Sequence, residues 1–115
     1  MGPGPYKELN VTHYSAWDTD SWKITPQTDN PQTTWAELND TLYWEDVGGF
    51  LRGCSTTVNM TVQAPTGSPV YGTVSVNVTW PWGGDPASTC TVSAGFRCDR
   101  ADEGGNIMWR VWNAE

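Results

Sequence analysis

The chain has 115 residues, a length that suits one domain, and 37% of them are hydrophobic, enough for a small buried core. Thirteen Asp and Glu against six Lys and Arg give a net charge of -7, which excludes an electrostatic nucleic-acid binder, because phosphates call for a basic face. No apolar run nears the roughly 20 residues of a membrane-spanning helix, so neither nucleic acid nor membrane is expected as a partner.

Residues 1–5, Met-Gly-Pro-Gly-Pro, lack the charged-then-apolar pattern of a leader, and their two prolines suit neither helix nor interior strand. They read as an extended N-terminal arm ahead of a single β domain at 6–115. Leu9, Val11 and His13 alternate with Asn10, Thr12 and Tyr14, predicting a strand over 8–14. Trp22 to Thr25 forms a shorter strand stopped by Pro26, and 26–33 is loop. Thr34 and Glu37 then have capping-box spacing, with Trp35, Leu38 and Leu42 at helical intervals and Gly48-Gly49 to end the segment. The spacing predicts one short helix near 35–45. A strand over 41–45 competes with it, since Thr41, Tyr43 and Trp44 are good strand residues. Phe50 and Leu51 begin the next strand.

The second half alternates more regularly. Val58, Met60 and Val62 interleave with Asn59, Thr61 and Gln63. Val74, Val76, Val78 and Trp80 interleave with Thr73, Ser75, Asn77 and Thr79. With the turn-forming stretch Ala64–Pro69 between them, these runs predict a hairpin with one buried face and one polar, uncharged face. Thr89 to Phe96 is a third strand with Gly95 as a bulge. Ile107, Trp109 and Val111 alternate with Met108, Arg110 and Trp112, so the last strand is apolar on nearly both faces and is either central or covered by a partner. The sum is an all-β, mainly antiparallel fold: a small β-sandwich or squashed barrel of roughly six to eight short strands, with one short helix.

Catalytic patterns are sparse. One histidine, His13, sits on an alternating strand. A dyad with Cys54, Cys90 or Cys98 is its one route to nucleophilic chemistry. Paired acids, Asp18 with Asp20 and Glu45 with Asp46, read as solvated charge and not as a glycosidase pair. No phosphate-binding loop, zinc-protease helix or serine-hydrolase elbow occurs. The expectation is a protein that is not an enzyme and needs no cofactor. Asp99, Asp102 and Glu103, beside Gly104-Gly105, are the one calcium candidate, without an EF-hand pattern; no metal is expected.

Three cysteines leave at least one thiol unpaired in a monomer. Cys90 and Cys98 can face each other across a hairpin as a disulfide, while the missing leader favours free thiols in a reducing compartment. Four Asn-x-Thr sequons, at Asn10, Asn39, Asn59 and Asn77, point to a glycosylated secreted protein, although a strand with an Asn/Thr face produces the same spacing.

Eight tryptophans exceed what a core of this size needs, and only two lysines occur; both features suit interfaces. Trp17, Trp22, Trp35, Trp44, Trp80, Trp82 and Trp112 are the candidate interface or ligand-stacking residues. The stretch from Val58 to Val78, enclosing Thr-Val-Gln-Ala-Pro-Thr-Gly-Ser-Pro-Val-Tyr-Gly-Thr-Val-Ser-Val, resembles the strand–turn–strand of bacterial and phage immunoglobulin-like domains. It lacks the Cys–Trp–Cys core of the antibody type. The resemblance implies a β-sandwich that binds or scaffolds.

Together these features predict a structural assembly protein, a bacteriophage virion component such as a capsid decoration or tail-associated subunit. Its partners are other protein subunits, of its own kind or of a capsid or tail, met through Trp-rich surfaces. The alternative is a secreted, lectin-like module that binds glycans, with Trp17, Trp22, Trp80 and Trp82 stacking on sugar and Asp85 accepting hydrogen bonds.

Overall fold

The alternation read from the sequence becomes eight strands in a computed structural model, which describes residues 8–15, 21–28, 34–45, 54–80, 86–102 and 106–114. They are β1 (Glu8–His13), β2 (Lys23–Pro26), β3 (Thr41–Glu45), β4 (Cys54–Gln63), β5 (Val70–Trp80), β6 (Ala87–Val92), β7 (Phe96–Arg100) and β8 (Ile107–Asn113). Two four-stranded sheets result: sheet A in the order β3-β1-β8-β7, and sheet B in the order β2-β4-β5-β6. All pairings are antiparallel except β1 with β8, which run parallel from Leu9↔Ile107 to His13↔Val111.

One hydrophobic cluster joins the sheets. Sheet A contributes Leu9, Val11, Leu42, Trp44, Ile107 and Val111; sheet B contributes Ile24, Val58, Met60, Val62, Val74, Val76 and Val78. The architecture is therefore all-β and sandwich-like, with alternate residues of each strand turned inward. Trp22 and Ala36 complete the cluster from outside the strands.

Residues 34–45 are not helical. Ala36 bridges Ile24, with Ile24 N–H donating to Ala36 O and Ala36 N–H to Ile24 O, each at 2.9 Å. Asn39 takes φ 70°, and Asp40 N–H donates to Glu37 O at 2.9 Å, closing a turn. The competing strand forms instead, because Leu42 and Trp44 point into the core while Tyr43 faces out, a period of two that a helix would scatter. The capping-box spacing of Thr34 and Glu37 is present without the helix. The Asp40 carboxylate takes the Glu37 N–H at 3.2 Å.

Gly95 is likewise not a bulge. At φ 95° it turns the chain between β6 and β7, which belong to opposite sheets. Cys90 and Cys98 form a disulfide that ties these two edge strands together across the sandwich. The pair stands where a reducing-compartment expectation had left free thiols. The register irregularity in sheet B falls at Val62/Gln63, opposite Val70–Gly72. Gly72 faces inward there, and a Cβ on it would come within 2.9 Å of the Phe96 ring, so glycine permits that ring to pack. The predicted arm at 1–5 and the strand start at Phe50–Leu51 lie outside the described residues.

Candidate functional site

Inward alternation leaves each sheet an outer face. On sheet B the antiparallel registers align outward residues into rows: Ser55–Thr79–Ala87, Thr57–Asn77–Thr89, Asn59–Ser75–Thr91 and Thr25–Thr61–Thr73. Every member is Ser, Thr, Asn or Ala. Their side chains bond laterally. Asn77 Nδ2 lies within hydrogen-bonding distance of Thr57 Oγ1 at 3.0 Å, Thr56 O at 3.1 Å and Ser55 Oγ at 3.2 Å. Ser75 Oγ donates to Asn59 Oδ1 at 2.9 Å, and Thr79 Oγ1 to Ser55 Oγ at 3.1 Å. The only charged residue in the four strands of this sheet is Lys23.

The same alternation accounts for the spacing of three of the four sequons. Asn10/Thr12, Asn59/Thr61 and Asn77/Thr79 are same-face neighbours on β1, β4 and β5. Alternation on a polar face generates that spacing. Asn39 belongs to the turn before β3.

The outer side of sheet A is different in kind. The Arg97 guanidinium lies 4.7 Å from the Trp112 ring, Trp112 meets Tyr14 edge-on at 5.2 Å, and the Arg110 guanidinium lies 4.8 Å from Tyr14. Tyr43 O–H donates to Glu8 Oε2 at 2.9 Å.

The tryptophans divide accordingly. Trp22 and Trp44 are 7% and 3% exposed, so they fill the core and are not platforms for sugar or for a neighbouring protein. Trp22 stacks on the buried His13 ring at 3.4 Å and meets Phe96 edge-on at 5.4 Å. Trp109 is partly buried and donates from Nε1 to Ser88 Oγ at 2.9 Å, linking β8 to β6. Trp112 is half-buried beneath Arg97. Trp35 remains 43% exposed. Trp80 ends β5, while Trp17, Trp82 and Asp85 lie outside the described residues.

Of the residues expected to form a dyad, His13, Cys90 and Cys98 are engaged inside the fold, and the Cys54 side chain lies outside the described residues. His13 lies in the core against Trp22, and the sulfurs of Cys90 and Cys98 are bonded to each other, which removes both thiols from a dyad with His13. Among the described residues, no three His, Cys, Asp or Glu side chains gather as a metal-holding group. The calcium candidates are turned to arginine instead. Arg100 grips Asp102 through Nε and Nη2 at 2.8–3.0 Å, and Arg97 lies 3.8 Å from Asp99. Hydrogen bonding from Arg100, helped by the Met108 N–H at 3.2 Å, holds the Asp102 carboxyl below the usual carboxylate range. Glu103 lies outside the described residues.

Sheet edges are the remaining reactive surface, because an edge strand presents unpaired backbone groups. The four edges are unequal. β2 is bridged by Ala36. β7 carries Arg97, Asp99 and Arg100, and β3 carries Glu45. β6, Ala-Ser-Thr-Cys-Thr-Val, has no charge and no proline, and among the described residues no strand pairs with its far side.

The sequence did not single out Tyr71, which is 52% exposed beside Val70 at 57%. Its signal was two bulky neighbours directly after a turn, a break in alternation that accompanies a register shift. No family model matches the chain, and no curated protein matches it.

Proposed function

We propose that this chain is a non-enzymatic structural subunit that acts by assembly, the β-sandwich serving as a rigid block whose open edge receives a neighbouring protein. The observation that carries this reading is β6. Among the described residues it is the one edge without charge, proline or a bridging segment, beside three that are bridged or bear charge, and an edge without such protection is a ready template for a strand of another chain. A strand of a second subunit laid along β6 would extend sheet B through backbone hydrogen bonds. A bacteriophage virion, with the chain as a capsid decoration or tail-associated subunit, is the setting we propose. The support is compositional: eight Trp, two Lys and a net charge of -7.

Sedimentation with native mass spectrometry of the protein isolated from its source tests this. Co-sedimentation with a large particle, released by Thr89→Lys on the outward side of β6, is the expected result. A monomer with no affinity for any particle from that source sinks the proposal.

A further inference from the structure

We infer that the corner of sheet B built on Trp35, Lys23, Gln63 and Tyr71 is a binding platform for a neutral glycan, separate from the β6 edge. The Ile24–Ala36 bridge turns both of those residues into the core. Alternation therefore places Trp35 and Glu37 on the outer side with Lys23 and Thr25. Register carries the row onward, from Lys23 to Gln63 on β4 and from Gln63 to Val70 on β5, with Tyr71 next. Since Gly72 faces inward against Phe96, Tyr71 is on the outer side. Three strand spacings, about 14 Å, separate the Trp35 segment from β5, a span of a few hexose rings.

The Trp35 indole is held before any ligand arrives. Lys23 Nζ lies 4.5 Å from its ring centroid, and its Nε1 donates to Glu37 Oε2 at 3.0 Å, yet 43% of the residue stays exposed. A large exposed ring fixed in place binds without first being immobilised. Pyranose rings offer C–H faces to such an aromatic and hydroxyls to the amides and hydroxyls beside it. Gln63, accepting from Thr61 Oγ1 at 2.7 Å, supplies an amide on β4, between the Trp35 segment and β5. Charge selects the ligand class. Among the described residues the one cation at this corner, Lys23, shares its indole partner with the Glu37 carboxylate, and the whole chain carries -7. With that single cation beside a carboxylate, the described corner has no basic cluster to attract sulfated or uronic-acid chains. The lectin-like expectation rested on Trp17, Trp22, Trp80 and Trp82; this platform uses none of them.

The test is a titration of isotope-labelled protein with short neutral oligosaccharides of glucose, galactose, mannose and N-acetylglucosamine, with heparin and hyaluronan fragments beside them. The expected result is that at least one neutral sugar shifts the Trp35 indole N–H, the Gln63 side-chain amide and Tyr71. Trp35→Ala should weaken that binding about tenfold while the amide spectrum stays dispersed, and Tyr71→Ala should weaken it less. Silence from every neutral sugar, full binding by both variants, or preference for heparin at this corner would each overturn the assignment.

Discussion

Sheet A carries six charged residues in its strands, Glu8, Glu45, Arg97, Asp99, Arg100 and Arg110, whereas sheet B carries Lys23 alone. The strands of both sheets alternate, and both send their aliphatic residues to the same core. They differ in how the outward positions are satisfied. On sheet A, polar groups are fixed by charge: guanidinium over ring, carboxylate against guanidinium. On sheet B they are fixed by short neutral hydrogen bonds within a field of Ser, Thr and Asn. A charged surface answers to salt and pH and repels like surfaces. A neutral one is indifferent to both and lies flat against whatever shares its polarity. Within the strands, then, all the charged residues but Lys23 fall on sheet A, in equal numbers of acid and base, and the nearly uncharged sheet B has the open edge among the described residues.

The contrast between inside and outside on one strand is the most drastic point to break. Val76 is fully buried and Asn77, the next residue, faces out. Val76→Asn strands an amide in the core and should cost roughly 3 kcal/mol or more. Asn77→Val removes an amide within reach of three acceptors but gains strand propensity, and should cost about 1 kcal/mol. Urea midpoints compare the two, and equal losses would mean the outer face of sheet B is as critical to stability as its inner one.

The bond between the sheets comes next. Reducing Cys90–Cys98, or replacing both by Ser, should cost about 2–3 kcal/mol, as expected for a short closed loop. Amide exchange should rise in β6 and β7 before it rises in β1, because the disulfide fastens the two outer strands. A uniform rise would show that the two sheets open as one unit.

The smallest effect sharpens the charge contrast. Asp102 is held below the ordinary carboxylate value by Arg100, so its contribution is present above about pH 4 and is lost as pH falls through its folded value. Its side chain is 41% exposed, which limits the contribution to a few tenths of a kcal/mol. The Met108 amide shift should follow this titration, Asp102→Asn should abolish it, and amides of the Thr57–Asn77–Thr89 row should not move.

The β4–β5 hairpin was legible because Val58–Gln63 and Thr73–Trp80 alternate regularly on either side of a stretch rich in Pro and Gly. β1 and β8 were legible for the same reason. The segment at 35–45 misled because Trp35, Leu38 and Leu42 match a helical interval, while the pairing that decides it, Ala36 with Ile24, joins residues on separate segments. The break between β6 and β7 was hidden for a similar reason. Gly95 suits a bulge or a turn equally, and only the strand that Phe96 joins distinguishes them. Among the tryptophans, residue type pointed to surfaces, but exposure is set by what packs on each ring. Trp44 alternates into the core, Trp22 is covered by His13 and Phe96, and Trp35 is left outside because its neighbour Ala36 takes the inward position.

The parallel pairing of β1 with β8 has a mechanical meaning. Among the described residues these are the first and last strands, they lie side by side, and they run in the same direction. The chain therefore enters sheet A at Glu8 and leaves it beyond Asn113 at opposite ends of one strand pair. Tension drawn through those two ends acts along the strands and not across them. The ladder from Leu9↔Ile107 to His13↔Val111 is loaded in shear, with its rungs sharing the force together instead of parting one by one. Such a block transmits a pull along its length while keeping its core closed.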